Sequence, residues 1–130
     1  MKKRHTIMVT AMVVASLLAI APAAQAGGGG GEVIRRGNCS AQSDWKLKVK
    51  PDNSSLELEF EVDSNVNGQS WIVRIRQNGS RIFTGTRVTQ GPSGSFSLHR
   101  RPNDSAGTDL FVARATNGAT GERCVGRLSI

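Results

Sequence analysis

Apolar and polar residues alternate along several short segments of the chain. The clearest case is residues 56–63, where Leu56, Leu58, Phe60 and Val62 are separated by carboxylates. A period of two is typical of a β-strand with one buried face. Similar runs begin at Trp45 and Trp71 and recur over 82–88, 96–98, 110–116 and 124–130, and no helical stripe is present. About seven short strands separated by turn residues predict an all-β fold, either a sandwich or a barrel.

The residues between these runs predict turns. Asn78-Gly79 separates two alternating segments, and this dipeptide favours a two-residue hairpin because both residues tolerate positive φ. Such a hairpin brings strand residues into a defined register. The predicted partners are Ile75 with Ile82, Val73 with Thr84, Trp71 with Thr86, Arg76 with Arg81 and Arg74 with Phe83.

The N-terminal segment predicts export. Lys2, Lys3 and Arg4 precede an apolar run over residues 7–20, and a small-residue site ends at Ala26. We interpret residues 1–26 as a secretory signal peptide, because the apolar run is too short to span a membrane. Residues 27–31 form a flexible glycine lead, and residues 32–130 form a single β-sandwich domain. The expected product is secreted, monomeric and without a transmembrane anchor.

The two cysteines fit this compartment. Export leads to an oxidising space, and two cysteines permit one intramolecular bond, between Cys39 and Cys124. A zinc site is not expected, because the mature chain adds one histidine, His99, to these two thiols. No other cofactor is expected, apart from the weak calcium site considered below.

Five segments carry a resemblance to known proteins. They are GNCS (37–40), SDWKLK (43–48), FEVDSN (60–65), NGQSW (67–71) and FTGTR (83–87). Together they resemble a group of small exported actinobacterial proteins of unknown function, a resemblance that implies no particular activity. The strands, the hairpins and the single disulfide resemble an immunoglobulin-like antiparallel β-sandwich of about seven strands. Residues 94–101 are also similar to a strand of the exported enediyne-antibiotic carriers. Those proteins have two disulfides where this chain can form one, so this second similarity is an analogy of fold.

One motif matches the opening of a calcium loop. Residues 63–68 read D-x-[DN]-x-[DN]-G, which places oxygen ligands at Asp63, Asn65 and Asn67. The twelfth position, where a bidentate Glu is required, is Arg74. Any calcium affinity is therefore expected to be weak, and the alternative is a connection in which the Asp and Asn side chains cap backbone groups.

Removal of the signal peptide lowers the formal charge from +7 to +4, and the remaining charge is divided unevenly. Residues 64–130 carry nine arginines and three acids. The adjacent pairs Arg35-Arg36 and Arg100-Arg101 are the candidate anion-binding residues, for a polymer such as wall teichoic acid. Nucleic acid is not an expected partner, because no segment interleaves aromatic with basic residues. The acidic residues of 57–63 are interpreted as solvated surface, neutralised by Arg74, Arg76 and Arg81 if those strands are neighbours.

Catalysis is not expected. His99 is predicted to point outward from its strand, and no nucleophile motif accompanies it. The sequence therefore favours an exported, non-catalytic binding module whose partner is an anionic cell-wall or extracellular polymer. The alternative is a soluble carrier or inhibitor of a small molecule or secreted enzyme. That function requires a pocket, for which the loops at 90–95 and 101–108 are the candidates.

Overall fold

The structure, a computed structural model, describes residues 31–130, which form eight β-strands and no helix. The predicted signal peptide and all of the glycine lead except Gly31 lie outside the described residues. The strands are β1 (Val33–Asn38), β2 (Asp44–Asp52), β3 (Ser55–Asp63), β4 (Ser70–Gln77), β5 (Ser80–Val88), β6 (Ser95–Arg100), β7 (Leu110–Asn117) and β8 (Arg123–Ser129).

The strands form two antiparallel sheets of four. Sheet A has the order β1-β2-β3-β6, and sheet B has the order β5-β4-β7-β8. The connections β3–β4, β5–β6 and β6–β7 cross from one sheet to the other. The predicted immunoglobulin-like β-sandwich is confirmed, with eight strands rather than about seven. The additional strand is β1, whose residues Arg35, Arg36 and Gly37 interrupt any alternation.

The core lies between the sheets and follows the predicted alternation. In β3 and β4 every second residue is buried, and the intervening residues are more exposed. Trp71, Phe60 and Phe111 are the largest fully buried side chains. Phe96 meets Phe60 edge to face, with the ring centroids 6.5 Å apart. Burial of such side chains contributes about 2–3 kcal/mol each, so the two inward faces hold the sheets together.

The β4–β5 hairpin turns where predicted, but its register differs. Asn78 and Gly79 both have positive φ, as a type I′ turn requires. Arg76 pairs with Arg81 as predicted, and a bulge then adds one residue to β5. The other predicted partners were therefore wrong by one position. The observed pairs are Ile75 with Phe83, Arg74 with Thr84, Val73 with Gly85 and Trp71 with Arg87.

The two open sides of the sandwich are closed differently. On one side, the predicted disulfide joins Cys39, the residue that follows β1, to Cys124 of β8. The ring of Trp45 lies so closely against Gly37 of β1 and Gly126 of β8 that a side chain at either glycine would meet the indole. On the other side, Arg87 of β5 and Arg100 of β6 lie over the ring of Phe83, at 4.9 and 4.4 Å from its centroid.

Asp109 anchors the connection between β6 and β7. It is 1 % exposed, and its Oδ1 accepts hydrogen bonds from the side chains of Gln77 (3.0 Å) and Asn78 (2.7 Å). Its Oδ2 accepts one from the backbone N–H of Ser105, at 3.0 Å. Burial on its own would raise the pKa of Asp109, but these hydrogen bonds outweigh burial and hold the pKa below its ordinary value.

We expect this carboxylate to contribute to acid sensitivity. A folded-state pKa below the unfolded value of about 4 gives stability at higher pH that is lost as the pH falls through the folded pKa. Asp109→Asn should therefore lower the free energy of unfolding at pH 7. The substitution should also make the free energy of unfolding fall less steeply with decreasing pH below about pH 4, by at most about 1.4 kcal/mol per pH unit. Urea unfolding between pH 2 and 7 measures both effects. Asp104→Asn, in the same loop, is the control, and equal pH slopes for wild type and Asp109→Asn would contradict the assignment.

Candidate functional site

The outer face of sheet A carries both signs of charge, and its lysines and glutamates are paired. The lysines of β2 stand opposite the glutamates of β3 in register. The ion pairs are Lys46–Glu59 (3.1 Å), Lys46–Glu61 (3.8 Å), Lys48–Glu59 (3.5 Å) and Lys50–Glu57 (3.2 Å). The three glutamates of β3 are thus neutralised by lysines of β2. The predicted neutralisation by Arg74, Arg76 and Arg81 was wrong, because these arginines belong to the other sheet. Burial alone would raise the pKa of Glu59. Its hydrogen bond and ion pair with Lys46, together with the charges of Lys48 and His99, instead lower the pKa.

The outer face of sheet B carries one sign of charge. Its four strands contain seven arginines and no Asp or Glu. We call five of them the arginine face, because they occupy outward positions of β4, β7 and β8 and are exposed: Arg74, Arg76, Arg114, Arg123 and Arg127. Within residues 31–130, no arginine of sheet B takes part in an ion pair, since Arg101 is the single arginine that does.

The two acids that adjoin sheet B are already bound within the protein. Asp109 precedes β7 and accepts the three hydrogen bonds described above. Glu122 precedes β8 and points to the β1–β2 connection, where it accepts hydrogen bonds from the backbone N–H groups of Ala41 and Ser43 and from the Ser43 hydroxyl. Neither carboxylate forms an ion pair with the arginine face, which therefore retains its full positive charge.

The arginines are concentrated by strand pairing. Arg74 of β4 stands directly opposite Arg114 of β7, so their Cβ atoms are about 5 Å apart. Like charges at such positions destabilise a sheet. Both side chains line one depression of about 400 Å³, together with Arg123 of β8. Ile72, Thr116 and Val125 also line it, and Ile72 and Val125 are 43 and 39 % exposed. The depression thus combines three cations with apolar surface.

The arginine pairs predicted from the sequence are not brought together. Arg35 and Arg36 lie on β1, and Arg100 ends β6 at the opposite edge of sheet A, about 14 Å away across three strand spacings. Arg36 stands opposite Lys46 on the outer face, whereas Arg35 follows the inward phase of β1, so the two point to opposite sides. Arg101 is held by Asp52 at 2.7 Å and by Glu57 at 3.6 Å.

The arginine face is not among the sites predicted from the sequence. The signal was present in the strand alternation, because Arg74 and Arg76 alternate with the inward Trp71, Val73 and Ile75. The same outward phase holds Arg114 in β7 and both arginines of β8. The predicted anion-binding residues, Arg35-Arg36 and Arg100-Arg101, are adjacent pairs, and neighbouring residues of a strand point to opposite faces.

The predicted calcium residues lie at the end of the sandwich where β3 crosses to β4. The Asp63 Oδ1 accepts a hydrogen bond from the backbone N–H of Asn65, at 3.0 Å, and Asn65 has a positive φ. The Asn67 side chain lies beside Gly91 of the β5–β6 connection. Within the described part of the chain, no three His, Cys, Asp or Glu side chains are grouped to hold a metal ion. Weak calcium binding by Asp63, Asn65 and Asn67 stays a prediction.

The predicted surface histidine and the two candidate pocket loops lie outside the arginine face. His99 has a side chain that is 69 % exposed, with its Nδ1 4.0 Å from Glu59. The loop at 101–108 lines an open groove of about 490 Å³ with the β4–β5 hairpin, and the groove contacts Ile82, Arg100 and Pro102. The loop at 90–95 folds back on the β3–β4 connection, where Gly94 is buried.

Comparison with models of known protein families and with curated proteins gives no match. Across residues 31–130, no helix is long and apolar enough to cross a membrane.

Proposed function

We propose that this protein is an exported, non-catalytic binding module that attaches to an anionic extracellular polymer through the arginine face. One observation carries the proposal: sheet B contains seven arginines, no acidic residue and no ion pair formed by its arginines among the described residues. On sheet A, by contrast, the lysines of β2 are paired with the glutamates of β3. A surface with only positive charge attracts polyanions, and this attraction extends over about 8–10 Å at moderate salt.

The extent of the arginine face favours a polymer over a single small anion. Three neighbouring strands span about 10 Å, and Arg123 and Arg127 are about 13 Å apart along β8. Several anionic groups of one chain can therefore be bound at once. Export is supported by the predicted signal peptide and by the disulfide, which is compatible with an extracellular location.

Binding to a defined polyanion tests this function. The mature protein should bind fluorescent polyphosphate at low salt and should not bind neutral dextran. If about four arginines make contact, the logarithm of the affinity should fall with the logarithm of the salt concentration with a slope of about −3. Absence of binding at low salt to polyphosphate and to the other polyanions named below would overturn the proposal.

A charge-matched pair of variants distinguishes the arginine face from net charge. Arg74→Gln/Arg114→Gln should weaken polyphosphate binding about 10-fold and reduce the magnitude of the salt slope by about 1.5, because two cationic contacts are lost. Arg35→Gln/Arg36→Gln removes the same charge from β1 and should change the affinity less than about 2-fold. Both variants should remain folded, since none of these four side chains is in an ion pair. Equal weakening by the two variants would show that binding follows net charge alone.

A further inference from the structure

The depression in the arginine face has a chemistry more specific than positive charge. Arg74 and Arg114 stand opposite each other and line the same concavity, and Arg123 lines it from the next strand. A guanidinium group presents a planar fork of N–H donors, which engages two oxygens at a time. Two such forks at one place need an anion whose acceptor lone pairs do not all lie in one plane, so that the forks can approach it from different directions.

Anionic groups differ in this respect. A carboxylate has about four acceptor sites on two oxygens, all near the plane of the group, and one guanidinium fork takes the two that face it. A phosphate monoester or a sulfate ester has three non-bridging oxygens in a tetrahedral arrangement, and a phosphodiester has lone pairs on two non-bridging oxygens and on its ester oxygens. Two guanidinium groups can therefore share one tetrahedral oxyanion, and a carboxylate shares its two oxygens less well.

We propose that the depression binds a tetrahedral oxyanion, phosphate or sulfate, carried on the polymer, with Arg74 and Arg114 on the same anionic group. This inference rests on the proposed function and adds the class of anion to it. Arg123 supplies a third cation, and the Thr116 hydroxyl, beside it in register, is an additional donor. Ile72 and Val125 present aliphatic surface in the same depression, on which the carbon linkage between anionic groups packs.

The test compares polymers that differ in the anion. Polyphosphate and dextran sulfate are the tetrahedral probes, and polyglutamate and polygalacturonate are the carboxylate probes. At equal salt, polyphosphate or dextran sulfate should bind wild type at least about 10-fold more tightly per anionic group than either carboxylate polymer. The ratio between the two tetrahedral probes identifies which source of oxyanion is preferred.

Arg74→Lys/Arg114→Lys provides the control for charge. Lysine keeps the cation but replaces the planar fork by a point charge. The variant should retain salt-dependent binding to all four polyanions and lose most of the preference for tetrahedral anions. A variant that keeps the preference would overturn the assignment to these two side chains.

The two proposals fail in different ways. If wild type binds carboxylate polymers as tightly as tetrahedral ones, the anion class is wrong and the polymer-binding function stands. If it binds none of the four polyanions at low salt, both proposals are wrong.

Discussion

Replacing Cys39 and Cys124 together by alanine is expected to lower the free energy of unfolding by about 4 kcal/mol. The disulfide joins residues separated by 85 positions, so it closes nearly the whole domain into one loop. On the chain-entropy model, a loop of this length restricts the unfolded state by about 4–5 kcal/mol. For a domain of about 100 residues, a change of 4 kcal/mol corresponds to a fall in Tm of about 20 °C.

The structure adds a local reason for a large effect. The bond joins the end of β1 to β8, two edge strands of different sheets, and Trp45 contacts both of these strands at Gly37 and Gly126. Calorimetry of wild type, reduced wild type and the double alanine variant measures the contribution. Reduced wild type and the variant should melt at similar temperatures. A loss below about 1 kcal/mol would mean that packing around Trp45 closes this side without the bond.

The sequence was sufficient to predict the fold class because the sandwich follows a simple rule. Every strand with one face on the core repeats with period two, so β3 and β4 could be read directly from residues such as Leu58 and Val73. The cysteine pairing followed from the count of two. These features depend on local pattern or on arithmetic, and neither requires knowledge of which strands are neighbours.

The features that were missed depend on non-local geometry. The bulge in β5 adds one residue after Arg81 and turns Phe83 inward. The guanidinium groups of Arg87 and Arg100 lie over the Phe83 ring. A single inserted residue changes the register of every later pair, and no local propensity marks it. Strand β1 is held by pairing with β2 and by the disulfide, although its own residues have little alternation.

The candidate site could not be predicted without knowledge of the strand order. Arg74 and Arg114 are 40 positions apart in the sequence, and they become neighbours because β4 pairs with β7. The sequence alone does not determine whether the β3–β4 connection crosses between sheets. It therefore does not determine whether the acids of β3 face these arginines. The structure places β3 in sheet A, opposite the lysines of β2. The separation of paired and unpaired charge onto two faces is therefore a consequence of topology, and composition alone gives only the net excess.

Gly94→Ala is the second substitution for which we expect a large loss of stability, about 3–4 kcal/mol. Gly94 is buried in the β5–β6 connection with a φ of +71°, a conformation that costs an L-residue about 1–2 kcal/mol. A Cβ there would lie 2.6 Å from the carbonyl carbon of Asn65 and would also meet the backbone nitrogen of Val66. Such overpacking adds about 1–3 kcal/mol, because the backbone of the β3–β4 connection must move.

Gly107→Ala is the matched control. Gly107 has a φ of +77°, but no atom lies within 4 Å of a Cβ built on it, so it carries the backbone cost without the collision. Its substitution should cost about 1 kcal/mol, and urea unfolding of both variants measures the difference. Equal losses would show that the contact with the β3–β4 connection yields easily.

Gly94 lies where two connections cross between the sheets, whereas the arginine face is built by β4, β7 and β8. Folded Gly94→Ala protein should therefore bind polyphosphate with the affinity of wild type, even as its Tm falls.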